Sequence, residues 1–147
     1  MTLLLIHHAE AVSPAVDPQR PLTEAGYQHA TRMAELARDR GATPAAIWHS
    51  GKLRSRETGH AFLSVCAPFA KFQMVRGLGP DDAPGIIHAA IQRESRDLAL
   101  VGHWPSLPAL LQLLSPASAP MPLHGVVALT TSDHGMTWSE IWRLNDL

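Results

Sequence analysis

The chain has 147 residues with 12 basic and 13 acidic side chains, a formal net charge of −1. That is the size of one domain over residues 1–147, with no overall field to gather nucleic acid or an anionic membrane. One cysteine, Cys66, excludes an internal disulfide, and no segment approaches the roughly 20 apolar residues of a membrane helix. The expectation is a soluble monomer in a reducing cytoplasm, without nucleic-acid or membrane partners.

The elements follow in chain order. LLLIHHAE opens with an apolar run lacking helical spacing, which reads as a strand from Leu3 to Ile6, covered on both faces and ending on His7 and His8. A loop, Ala11 to Pro21, is kept from helix by Pro14, Pro18 and Pro21. Thr23 suits an N-cap, and Tyr27, Ala30, Ala34 and Ala37 share a face of a helix that Gly41 closes. AAIWHS predicts a strand from Ala45 to Ser50, and Gly51 leads into a second helix ending near Cys66 or Pro68.

Lys71 to Val75 reads as a strand, Arg76 to Pro84 as a loop and Gly85 to Ser95 as a third helix. The buried strand Leu98 to Val101 breaks at Gly102 and His103 and feeds a helix opened by Pro105. After a Pro-rich loop, Ser115 to Pro122, come strands Gly125 to Thr131 and Met136 to Leu144, joined by a turn over Ser132, Asp133, His134 and Gly135. Strands alternating with helices imply a three-layer α/β/α sandwich with a mostly parallel sheet, antiparallel at one side.

Three of these strands end on histidine: at His7 and His8, at His49, and at His103. Parallel strands share one carboxyl edge, where open α/β sheets bind ligands. GKLRSR sets Lys52, Arg54 and Arg56 at the start of the second helix. Helix N-termini and guanidinium forks both attract phosphate. His8 with Arg54 and His103 therefore suits nucleophilic attack on phosphorus. His49 reads as a wall of the strand end, and Lys52 and Arg56 as a solvated face. The nine histidines form no His-x-x-x-His pair, and cationic surroundings disfavour a divalent ion, so neither metal nor cofactor is expected.

LLLIHHAEA, RPLTEAG, SGKLRSRET and LVGHWPSL, in this order, resemble the histidine phosphatase superfamily, with its phosphoglycerate-mutase-like fold. Within it the short length is most similar to SixA-type protein-phosphohistidine phosphatases. The resemblance implies that His8 is the phosphorylated nucleophile, that Arg54 is a phosphate-binding arginine and that His103 binds the phosphoryl group from the opposite side.

Three positions depart from the family pattern: His7 replaces an arginine, Trp104 an asparagine and Gly51 a proline. Losing the arginine forfeits a charge-assisted contact of about 1.5–3 kcal/mol, or one to two orders of magnitude in rate. A protonated His7 is expected to restore part of this, with turnover falling above about pH 7. Substrate contacts are expected from His7 and Trp104.

The expected function is hydrolysis of phosphohistidine in a protein, since an imidazole leaving group needs little help from an acid. The alternatives are a weakened module that binds phosphate or a phosphoprotein, and a phosphatase for a small phosphate ester. The carboxylates available to serve an ester are Glu10, Asp81 and Asp82.

Overall fold

A computed structural model describes residues 1–132 and 137–145. Six strands, β1 (Thr2–His7), β2 (Ala46–His49), β3 (Lys71–Met74), β4 (Leu98–Gly102), β5 (Val126–Thr131) and β6 (Trp138–Leu144), form one sheet in the order β3-β2-β4-β1-β5-β6. β3, β2, β4 and β1 run parallel, and β5 and β6 add an antiparallel pair beyond β1. The expected mostly parallel sheet with antiparallel strands at one side is therefore the observed one. Of the expected hairpin turn, residues 133–135 lie outside the described residues, as does Met136.

Four helices, α1 (Glu24–Asp39), α2 (Leu53–Cys66), α3 (Gly85–Gln92) and α4 (Ser106–Leu114), cover the sheet. Alternation along β1 and β4 divides the core into two layers. Leu3, Leu5, Leu98 and Leu100 meet Ile87 and Ile91 of α3 and Leu107, Leu110 and Leu111 of α4. Leu4, Ile6, Ala99 and Val101 meet Met33, Ala34 and Ala37 of α1 and Phe62 of α2. Cys66 belongs to this second layer, its thiol donating to the Ala34 carbonyl at 3.1 Å.

The caps expected for α1 are present. Thr23 Oγ1 accepts the Gly26 amide at 2.9 Å, and Gly41 follows the helix at φ +85°, the left-handed geometry that glycine adopts without strain. The third helix is shorter than expected, ending at Gln92 instead of Ser95. The Glu94 carboxylate accepts the Ser95 and Arg96 amides, a local side-chain turn that competes with helix.

Candidate active site

β1 delivers the first two imidazoles at the carboxyl edge. It extends one residue beyond the expected strand, because the His7 amide donates to the Gly125 carbonyl at 3.0 Å and His7 stands in register with Gly102 of β4. The His8 amide donates to the Gly102 carbonyl at 3.2 Å. β4 then ends on His103, which is 1% exposed and whose ring centroid lies 5.0 Å from that of His8. The sequence expectation that these residues meet at one rim is met. His49 does not join them: its ring packs on Phe72 at 4.7 Å and its Nδ1 accepts the Gly51 amide, the wall position expected for it.

Two buried hydroxyls fix the start of α2, and with it Arg54. Ser55 accepts the Ser50 amide and donates to the Val101 carbonyl at 2.8 Å. Thr58 accepts the Ala9 amide and donates to the Arg54 carbonyl at 2.7 Å. The bonds to Ser50, Val101 and Ala9 satisfy backbone groups at the strand ends. Together they strap the second helix to the ends of β1, β2 and β4. The Arg54 charge acts on His7, His8 and His103, and its Nε is buried with no partner among the described residues.

Two further residues of the site were not singled out in the sequence. Arg20 has φ +50° and donates from Nε to the Val12 carbonyl at 2.9 Å, and its charge acts on His8, His103 and Arg54. His124 stacks on His7, with centroids 4.9 Å apart and planes inclined by 2°. Arg20 lies inside RPLTEAG, one of the stretches that carry the family resemblance, and His124 directly before the strand expected from Gly125.

The hydrogen bonds assign a proton to each ring. A carbonyl only accepts, so His8 Nδ1, 2.7 Å from the Ala9 carbonyl, carries the proton and Nε2 keeps its lone pair. His124 Nδ1 likewise donates to the His8 carbonyl at 2.6 Å. His7 is the reverse: its Nδ1 accepts the His124 amide at 2.7 Å, so the neutral ring bears its proton on Nε2. The Ser50 hydroxyl, which accepts the Lys52 amide, lies 2.6 Å from His103 Nε2. With the Ser50 proton given to that nitrogen, His103 presents a buried Nδ1–H that has no partner among the described residues.

Burial, with neighbouring imidazoles and arginines, holds these rings neutral. His7 is pushed down to about 2, by burial first and then by His8. His103 falls to about 3, by burial and then His8. For His8, burial is the largest cause, the bond to Ala9 opposes it, Arg54 adds to the lowering, and the result is about 4. The expected protonated His7 is therefore overturned. With the residue 4% exposed and Nδ1 committed to a backbone N–H, His7 acts as a neutral Nε2–H donor. The expected fall in turnover above pH 7 loses its basis.

The same shifts make the fold acid-sensitive. The unfolded chain takes up these protons near pH 6.5, whereas folded His8, His103 and His7 take them up only near 4, 3 and 2. The folded state thus binds fewer protons below pH 6.5, and stability, undiminished above that value, falls as the pH drops. Denaturant titrations at pH 7 and pH 4.5 are expected to differ by several kcal/mol, at ~1.36 kcal/mol per shifted unit. Equal stabilities would contradict the burial of neutral rings.

His7, His8 and His124 bring potential ligand atoms within 4.8 Å of one another. The spacing would suit a metal ion, but the donors do not. His7 presents an N–H where a ligand needs a lone pair, leaving two ligands where zinc takes three or four from the protein.

Trp104 borders the site with its ring 4.6 Å from that of His7, and it is 39% exposed. Glu10 accepts the Thr23 hydroxyl and Asp82 the Gly79 amide, while Asp81 is exposed. The charges acting most strongly on the site histidines are cationic or imidazole.

No family model matches the sequence, and no curated protein does. Solved structures do. The protein histidine phosphatase SixA complexed with tungstate superposes with a TM-score of 0.86 at 20% identity, covering 99% of this chain and 97% of that one. A protein from Agrobacterium tumefaciens assigned as a phosphohistidine phosphatase SixA gives 0.78 at 26% identity over 97% of both chains. A mycobacterial glucosyl-3-phosphoglycerate phosphatase in complex with VO3 gives 0.72 at 15% identity, covering 96% of this chain and 98% of that one.

Proposed function

We propose that this chain, which has the phosphoglycerate-mutase-like fold of the histidine phosphatase superfamily, is a phosphatase that forms a phosphohistidine intermediate on His8 and acts on phosphohistidine in a protein. One observation carries the reading: His8 presents an oriented Nε2 lone pair, with Nδ1–H held by the Ala9 carbonyl, beside His103 and within the field of Arg54 and Arg20.

In the first step Nε2 of His8 attacks phosphorus in line and the bond to the leaving group breaks. Arg54, Arg20 and the N–H groups of His7 and His103 stabilise the phosphoryl oxygens. In the second step water displaces His8, releasing phosphate. Trp104 offers an aromatic face to an incoming imidazole at the mouth of the site.

Among the described residues the charges acting most strongly on the site histidines are cationic or imidazole, which favours an imidazole leaving group over an alkoxide that would need protonation. SixA, the neighbour at TM-score 0.86, is a protein histidine phosphatase that takes up tungstate, an oxyanion shaped like phosphate. The test compares hydrolysis of a phosphohistidine protein with that of small phosphate esters. Faster turnover of the former is expected. A preference for esters would assign the site to phosphomonoesters, and phosphate binding with no turnover of either would make the domain a binding module.

A further inference from the structure

Once His8 is phosphorylated, the site needs a group to accept the proton of the attacking water. His7 already carries a proton on Nε2, and His103 is 1% exposed with its Nε2 against the Ser50 hydroxyl. Glu10 and Asp82 are engaged by Thr23 and by the Gly79 amide. His124 differs from all of these. Its Nδ1–H is spent on the His8 carbonyl, so its Nε2 holds a lone pair, and the ring centroid lies 5.9 Å from that of His8. The residue is only partly buried, so a proton taken there can pass to solvent.

We propose that His124 is the general base of phosphoenzyme hydrolysis, a role resting on the phosphatase reading above. The water oxygen forms the new P–O bond as the P–Nε2 bond of His8 breaks. The bonding pair returns to Nε2 of His8, and the water proton passes to Nε2 of His124, which releases it to solvent. His8 regains its neutral Nδ1–H form, and phosphate leaves.

The backbone is shaped for this placement. His124 has φ +52°, a left-handed conformation that asparagine, aspartate and histidine adopt more readily than other residues with a side chain. It is held by the His29 imidazole, whose Nε2 donates to the His124 carbonyl at 2.9 Å. The groups facing the His124 ring are imidazoles: His7 and His8 at the end of β1 and His29 of α1. Arg54 of α2 and Arg20 of the preceding loop act on His8 behind them.

His124→Asn separates this role from a structural one. Asparagine tolerates positive φ and can still donate to the His8 carbonyl, but it is not a base. The protein is labelled with radioactive phosphoramidate, chased with unlabelled donor, and quenched in alkali, where phosphohistidine survives. Both proteins are expected to acquire label at His8. The variant should lose it about a hundredfold more slowly. Added imidazole should restore decay in His124→Gly, which a purely structural role would not allow. Decay of the Asn variant at the wild-type rate would overturn the inference while leaving the phosphatase reading intact. Absence of label in the wild type would overturn the reading itself.

Discussion

His8→Ala is expected to abolish the alkali-stable phosphoenzyme and to lower turnover by about four to six orders of magnitude, the scale on which loss of a nucleophile is felt. The variant should remain folded. Among the described residues the ring's only hydrogen bond is to the neighbouring Ala9 carbonyl, whereas the bonds that anchor the segment run through the His8 amide to Gly102 and through the His8 carbonyl to His124. Removing a buried neutral imidazole also removes one of the groups whose depressed titration penalises the folded state in acid. The variant should therefore lose less stability than the wild type between pH 7 and pH 4.5. Retained phosphoenzyme in a folded His8→Ala protein would exclude His8 as the nucleophile and with it the proposed mechanism.

Arg54→Ala is expected to cost about two to three orders of magnitude in kcat/KM, the loss typical of one preorganised group facing developing charge. The guanidinium sits at the start of a helix whose backbone is strapped by Ser55 and Thr58. Arg54→Lys should recover only part of the loss, because an ammonium cannot reproduce a planar pair of donors. A second readout separates electrostatics from damage to the fold. The Arg54 charge is one cause of the depressed His8 titration, so its removal should move the acid limb of the pH profile upward. A fall in rate with an unmoved acid limb would place Arg54 away from the nucleophile.

Much of this arrangement was legible in the residues. Short apolar runs ending on histidine gave the strands and their common edge, because burial on both faces leaves a nearly continuous hydrophobic stretch. What could not be read was the proton on each ring. Whether His7 is cation, acceptor or donor depends on the His124 amide, 117 positions away, which no local pattern records. Arg20 escaped notice for a related reason. It sits in an irregular loop, and its place beside the site follows from the closure of residues 11–22 as a loop, with Ala11 paired to Leu22 and the Val12 amide bonded to the Pro21 carbonyl. Ser55 and Thr58 look like ordinary polar residues of an amphipathic helix until the strand ends they serve are known.

The position of β1 has a consequence for how such a protein diversifies. The strand is flanked by β4 on one side and β5 on the other, so the peptide that leads into His8, the proposed nucleophile, cannot shift without breaking the sheet. The rim, where Trp104 is 39% exposed, is free of that constraint. A scaffold so divided holds the strand side of the site stiff while a side chain at its rim can change without disturbing the sheet.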